Sequence, residues 1–205
     1  MKEEIWPLDI VIPDQFFDAT KRRVSSFFGD GIVAHVGMAK PICPHLATIL
    51  DKAARQSGAR VHRGGTYICI EGPQFSTRAE SRIYRSWGVD VIGMTNMPEV
   101  KLAREAELCY ATLALATDYD VWHDTHEAVS VETVVQNLLK NVATAKEVLG
   151  RAIPEIGLPR TCECPRALAS AMITNPKSFS LTTRRRLELL IGKYFPAERK
   201  GRHRA

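Results

Sequence analysis

The sequence contains no long apolar run. None of its apolar stretches approaches the roughly 20 residues that a helix needs to cross a bilayer. The first residues, MKEEIWPLDI, are mixed and acidic, whereas a secretory signal has a basic start followed by an apolar stretch. We therefore expect neither a membrane protein nor a secreted one, and we expect a cytoplasmic location.

The cysteines do not form a regular pattern. There are five cysteines, an odd number, and only Cys162 and Cys164 lie close together. A secreted disulfide framework has a different pattern. Zinc needs four ligands and the sequence has no second cysteine pair, so we expect no metal and two ordinary reduced thiols. A metal pair and a redox couple are the alternatives for Cys162 and Cys164.

Positive charge is concentrated near the end of the chain. The formal net charge is +5, with arginines at 184–186 and a basic tail over 195–205. No interleaved aromatic residues suggest base stacking there. Because the apolar residues of 187–191 follow the arginines, the pattern is typical of the polar side of an amphipathic helix. We expect a solvated helix face and no nucleic-acid site, with a nucleic-acid-binding tail as the alternative.

Strand and helix patterns alternate through the middle of the chain. Strand-like runs at 66–70, 89–94 and 110–117 alternate with helical patterns at 78–87, 98–108 and 131–153. Such a series forms a mainly parallel sheet flanked by helices, with right-handed crossovers. We therefore expect an α/β fold in one domain, with 110–117 as a central strand covered on both faces. Earlier in the chain, 9–12 resembles a strand and 29–37 a loop.

Individual residues predict where these elements begin and end. Thr77 and Glu80 have the spacing of a capping box, and Gly88 favours a left-handed stop after the helix. Pro98 suits the first turn of the next helix, and Pro154 ends the long one.

Polar segments follow each of the three predicted strands, at 71–77, 95–99 and 118–120. Ligands of open α/β sheets bind outside the carboxyl ends of the strands. Ser76 and Thr95 stand near helix starts, where free backbone amides favour an anion, although a helix cap is the alternative for each.

Two carboxylates close the third polar segment. In an extended chain Asp118 and Asp120 point to the same side, so both can line one pocket. Such a pair can keep one member protonated near neutral pH, as a proton donor to a leaving group requires. A solvated turn with an aspartate cap is the alternative.

The same segments carry a family resemblance. From Gly64 to Trp122 the sequence is similar throughout to the trimeric purine nucleoside phosphorylases of the 5'-methylthioadenosine phosphorylase type, above all in EGPQFSTRAE and GMTNMPEVKLAREA. The resemblance implies the phosphorylase-type fold and reversible phosphorolysis of an N-glycosidic bond. Phosphate is then a co-substrate, and no metal or organic cofactor is needed.

The resemblance also assigns roles to residues. Asp118 stands where family members that act on 6-oxopurines carry asparagine, which implies an adenine nucleoside, and Asp118 with Asp120 would address N7 and the amino edge of the base. Phe75 would lie against the purine and Met94 on the ribose, while Ser76 and Thr95 would bind phosphate. The remaining substrate contacts would be His35, lent to the neighbouring subunit of a homotrimer, and Val131, Val134 and Val135 around the methylthio group.

Part of the family's pattern does not occur in these 205 residues. A Gly-rich first strand-turn, an Arg-His-Gly segment and a Thr-Asn/Ala loop supply most of the family's phosphate site. We therefore expect 1–194 to form a phosphorylase domain that lacks the first strands of the family fold, and activity of this chain alone is in question. The alternatives are a phosphorylase for methylthioinosine or ordinary purine nucleosides, and a non-catalytic fragment or oligomer subunit.

Overall fold

The computed structural model describes residues 2–121, 131–175 and 178–195. The strands are β1 (Ile10–Ile12), β2 (Gln15–Ala19), β3 (Val61–Arg63), β4 (Thr66–Ile70), β5 (Val91–Gly93) and β6 (Ala114–Leu115). The α-helices are α1 (Pro44–Gln56), α2 (Arg78–Ser86), α3 (Glu99–Glu105), α4 (Val131–Ala152), α5 (Leu181–Arg186) and α6 (Glu188–Ile191). Within these described ranges, no helix has both the length and the apolar character needed to span a membrane.

The strands form two three-stranded sheets, ordered β3-β1-β6 and β2-β4-β5. All neighbours run parallel except β1 and β6, which are antiparallel. The predicted α/β fold with a mainly parallel sheet flanked by helices is confirmed, with the difference that the strands divide between two sheets.

The prediction of a central strand over 110–117 is wrong. Only β6 pairs, and both of its residues are partly exposed. Tyr110, the first residue of the run, forms hydrogen bonds outside it: its hydroxyl bonds to Glu99 at 2.7 Å and to Asn96 at 3.1 Å. The Tyr110 carbonyl also accepts the backbone amide of Cys43. Only Thr112 of the run is buried, and the backbone of the run pairs with β1 over Ala114–Leu115 alone.

The predicted helix boundaries hold best where a cap specifies them. α2 begins with the capping box of Thr77 and Glu80, and Gly88 adopts a φ of +79° after its end. α4 ends before Pro154, which lies in a 3-10 turn. α3 is shorter than predicted and stops before Glu107, whose φ of +55° is incompatible with a right-handed helix.

One core joins α1, α4 and β1, and α1 is an element that the sequence patterns did not reveal. Ile10, Ile12, Leu50, Ala54 and Val148 are all buried in this core. Because α4 packs on α1 here, the long helix is fixed relative to the sheet that contains β6.

The C-terminal helical pattern is divided into α5 and α6. Leu187 and Ile191 are buried, whereas Leu189 is fully exposed. The prediction of an amphipathic helix therefore holds for Leu187 and Ile191 but not for Leu189. Arg186 pairs with Asp30 at 2.6 Å, and Arg184 donates to the Phe195 carbonyl. Of the predicted basic tail, residues 196–205 lie outside the described residues.

The cysteines are not arranged as their sequence spacing suggested. Cys43 and Cys109, distant in sequence, lie beside Cys162 and Cys164. The expectation of an isolated cysteine pair is therefore wrong, because long-range folding supplies the second pair.

Candidate active site

A pocket of about 340 Å³ lies at the carboxyl ends of β4, β5 and β6. Its size falls within the range of small-molecule sites. Six of the residues singled out in the sequence line it, namely Phe75, Ser76, Met94, Thr95, Asp118 and Asp120. The three polar segments that follow the predicted strands thus meet in one cavity, where ligands of α/β sheets bind.

The segment that carries the two carboxylates is turned instead of extended. One carboxylate oxygen of Asp118 accepts the Asp120 backbone amide at 2.8 Å, and Asp120 adopts a φ of +65°. The prediction that an extended chain orients the pair is therefore wrong, although both side chains do line the pocket. An aspartate readily bonds to the backbone two residues ahead, which favours this turn.

Each carboxylate is held by a hydroxyl donor. The Thr117 hydroxyl donates to Asp118 at 2.7 Å, and the hydroxyl of Ser81, on α2, donates to Asp120 at 2.6 Å. Ser81 is fully buried. Both acids therefore have fixed orientations and retain acceptor capacity for a ligand.

Two asparagines of α4 hold the backbone just before these acids. The side-chain amide of Asn141 donates to the Ala116 carbonyl at 2.9 Å, and that of Asn137 donates to the Thr117 carbonyl at 2.8 Å. Asn141 is almost completely buried. Sequence reasoning missed both residues, although a polar residue within the apolar face of a long helix was the available indication.

The hydroxyl of Ser76 is buried at the pocket without a hydrogen-bond partner among the described residues. The cap of α2 is Thr77, so the helix-cap alternative does not apply to Ser76. A buried polar group usually has a partner, which makes this hydroxyl a candidate donor to a bound anion. Next to it, the ring of Phe75 is 79% exposed, and a large exposed apolar surface at a pocket indicates a ligand contact.

Tyr67 supports the far side of the pocket. Its phenol bonds with Thr95, and burial raises its pKa, so the hydroxyl stays protonated. A Cβ atom at Gly93 would lie 1.9 Å from the phenol oxygen, so only glycine allows the tyrosine to reach Thr95. The sequence analysis singled out neither Tyr67 nor Gly93.

Arg23 ties together the loops that follow β4 and β5. Its guanidinium donates to the carbonyls of Met94 at 2.7 Å and Glu71 at 2.8 Å, and also to that of Met97. It further donates to Ile70, at the end of β4. Arg23 is therefore a positioning residue for both loops. In the sequence, nothing distinguishes it from its neighbour Arg22.

We expect Arg23→Met to lower the free energy of unfolding by about 2 to 3 kcal/mol, because it removes charged donors from several carbonyls. Urea denaturation measures this change. The exposed neighbour gives a matched control, since Arg22→Met should stay within about 0.5 kcal/mol of the unaltered protein. Equal destabilisation by both changes would contradict the positioning role.

Neither Val135 nor His35 is among the described residues that line the pocket. Val135 lies on α4 and is 47% exposed. The side chains of Val131 and Val134 lie outside the described parts of the structure, although both residues belong to α4. His35 is exposed, and its backbone amide bonds to the Ala171 carbonyl at 2.8 Å. Contacts of these residues with substrate remain predictions.

The chemistry of the pocket divides into two parts. Carboxylates at 118 and 120 accept hydrogen bonds from donors such as an amino group, whereas hydroxyls at 76 and 95 donate to an anion. Among the described residues that line the pocket, none is lysine or arginine.

Comparison with known proteins gives a consistent result. Residues 1–154 match the sequence profile described as Phosphorylase superfamily. The chain is 55% identical over 201 residues to S-methyl-5'-thioadenosine phosphorylase of Koribacter versatilis, covering 98% of this chain and 69% of that protein. It is also 55% identical to the enzyme of the same name from Geobacter sulfurreducens, covering 95% and 68%.

Solved structures agree with the sequence matches. A methylthioadenosine phosphorylase from an Antarctic soil metagenomic library superposes with a TM-score of 0.86 at 51% identity, covering 92% of this chain and 67% of that one. Methylthioadenosine phosphorylase from Schistosoma mansoni in complex with adenine gives a TM-score of 0.78 at 36% identity, covering 84% and 69%. The chain thus spans about two thirds of the length of the relatives it matches.

Proposed function

Because this chain belongs to the S-methyl-5'-thioadenosine phosphorylases of the Phosphorylase superfamily, we propose that its pocket serves the phosphorolysis of 5'-methylthioadenosine to adenine and 5-methylthioribose-1-phosphate. The observation that carries the proposal is the meeting of Asp118, Phe75 and Ser76 in one cavity at the strand ends. Relatives that bear this enzyme name, at 55% identity, support it.

Asp118 recognises the base and assists its departure. Its carboxylate accepts a hydrogen bond from the amino group of adenine, or in the protonated state donates one to N7. Protonation or strong hydrogen bonding at N7 stabilises the departing adenine as the N-glycosidic bond breaks. The Thr117 hydroxyl and the Asp120 amide fix the carboxylate in position before substrate arrives.

Ser76 and Thr95 receive the phosphate that attacks the ribosyl cation. The buried Ser76 hydroxyl has no competing partner among the described residues, so it is available to a phosphate oxygen. Thr95, held by the Tyr67 phenol, lies across the same pocket. The attack forms the bond from the sugar to phosphate and leaves adenine as the second product.

The 5' end of the substrate is assigned to α4. Val131, Val134 and Val135 of this helix border the methylthio group in the proposal, and an apolar border rejects an added hydroxyl only weakly. His35, exposed on the loop before α1, contacts the substrate of a neighbouring subunit in a homotrimer. Met94 packs on the ribose and Phe75 on the purine.

Substrate preference tests the proposal. The assay uses the chain joined to the part of the Koribacter versatilis relative that it does not cover, because the chain spans 69% of that protein. With saturating phosphate, we expect release of adenine from methylthioadenosine to exceed release of hypoxanthine from inosine, measured as kcat/KM. A carboxylate faces the 6-oxo oxygen of inosine unfavourably, and this is the physical reason for the preference.

Methylthioinosine is the informative control, because it differs from methylthioadenosine only at the base edge. Poor turnover of both inosine and methylthioinosine would place the preference at Asp118. Turnover of inosine equal to or better than that of methylthioadenosine would contradict the assignment.

A further inference from the structure

Four of the five cysteines converge on one point, away from the pocket. The sulfur atoms of Cys43, Cys109, Cys162 and Cys164 all lie within 4.8 Å of one another. Cys43 and Cys164 are buried, and the other two are partly buried. We name this group the cysteine cluster.

The cysteine cluster is assembled from three distant chain segments. Cys43 immediately precedes α1, Cys109 lies between α3 and β6, and Cys162 and Cys164 follow α4. Isolated buried cysteines are common in protein cores. Convergence of four sulfurs from three segments is instead the arrangement of a tetrahedral metal site.

The distances between sulfur atoms suit zinc. With zinc–sulfur bonds of about 2.3 Å, sulfurs at the corners of a tetrahedron are about 3.8 Å apart. The sulfurs of Cys109 and Cys162 are 3.4 Å apart, and no pair exceeds 4.8 Å. All four cysteines are free thiols in the structure, and tetrahedral sulfur coordination favours zinc or iron among common metals.

We propose that the cysteine cluster binds one structural zinc ion through four thiolates. Each thiol releases its proton to solvent as its sulfur binds the metal, and no electron is transferred. Four protein ligands leave no open position, so the ion stabilises the fold and takes no part in the phosphorolysis. The proposal is independent of the function proposed for the pocket.

Cys43 is the N-cap residue of α1, a helix of 13 residues that packs into the core, so one sulfur of the cluster is placed by a regular element. Cys162 and Cys164 are separated by one residue, a tighter spacing than zinc motifs usually have, which is why the sequence pattern did not reveal the site.

A zinc ion at this place would fasten the C-terminal segment to the domain. The segment after α4 already meets the rest of the protein at Glu107, whose carboxylate accepts the Leu168 amide at 3.0 Å and the Tyr194 hydroxyl at 2.5 Å. Cys109 lies two residues beyond Glu107. The cluster adds a second attachment that also reaches the start of α1 through Cys43.

Metal analysis of the unaltered 205-residue chain is the direct test. The protein is purified under reducing conditions without chelator, and its metals are measured by inductively coupled plasma mass spectrometry. We expect about one zinc per chain. Native mass spectrometry should show the same ion, and Co²⁺ substituted for zinc should give the visible absorption of tetrahedral thiolate coordination.

Two variants form a matched pair. Cys162→Ser changes a partly exposed member of the cluster and should lower the zinc content at least tenfold, whereas Cys69→Ser changes a buried cysteine of β4 outside the cluster and should retain about one zinc. A chelator should lower the melting temperature of the unaltered chain and leave that of Cys162→Ser unchanged. The melting measurement distinguishes lost metal from a folding defect.

Several results would overturn the proposal. One is a chain that binds no metal after incubation with Zn²⁺ and whose melting temperature does not change. Another is iron as the bound metal. A disulfide among the four cysteines in protein purified under reducing conditions would also do so, since a bonded pair cannot supply two thiolates. Equal zinc content in Cys162→Ser and the unaltered chain would place the metal elsewhere.

Discussion

Replacing Asp118 with asparagine should lower the rate of methylthioadenosine phosphorolysis by about 10²-fold or more, the usual scale for loss of a general acid. The amide cannot give a proton to N7 of the departing adenine, and its NH₂ group meets the amino group of the base. The same amide can donate to a 6-oxo oxygen, so preference should shift toward inosine and methylthioinosine. Values of kcat/KM for the three nucleosides, in the chain joined to the uncovered part of its relative, measure both effects.

Asp51→Asn is the matched control for this change. It makes the same carboxylate-to-amide replacement on α1, where Asp51 pairs with Arg55 at 3.1 Å. We expect kcat/KM to stay within about twofold of the unaltered value, because the site is remote from the pocket. An Asp118→Asn variant that loses rate equally on all three nucleosides would contradict a role in base recognition.

The 205-residue chain expressed by itself should bind methylthioadenosine without a measurable rate of phosphorolysis. The described lining of the pocket offers Ser76 and Thr95 to phosphate but no lysine or arginine. Arginine provides the strong, bidentate contact that a phosphate dianion usually receives. Each preorganised contact that is missing costs about 3 kcal/mol of transition-state stabilisation, so the rate should fall by about 10³-fold or more.

Two measurements separate binding from turnover. Isothermal titration calorimetry with methylthioadenosine reports the nucleoside half of the pocket, and adenine release in excess phosphate reports the reaction. Joining the part of the Koribacter versatilis relative that the chain does not cover should restore the reaction. Steady adenine release by the 205-residue chain, in proportion to its concentration, would contradict the expectation.

Local sequence signals predicted the elements that local interactions determine. The strand over 66–70 was predicted with its observed bounds, because β-rich residues end there at Gly72-Pro73. α2 was predicted from the capping box of Thr77 and Glu80, which needs only neighbours in sequence. The strand-end rule then located the pocket, since Ser76, Thr95 and Asp118 all follow strands.

Features that depend on distant partners were not predictable in this way. The run 110–117 has the composition of a strand, yet contacts with Asn96, Glu99 and Cys43 hold its first residue, Tyr110, and only Ala114–Leu115 pairs as a strand. Arg23 gains its role only because four carbonyls converge on it after folding. The cysteine cluster is the strongest case, because its members are separated by up to 121 positions along the chain.

The amides of Asn137 and Asn141 link the two ends of the proposed nucleoside site. They fasten the end of β6, and with it Asp118, to the same helix whose valines are proposed to border the 5' substituent. A substituent that displaces α4 would also displace Asp118, the acid assigned to the base. We therefore expect a variant whose 5' side is widened for a new substrate to show a changed base preference as well.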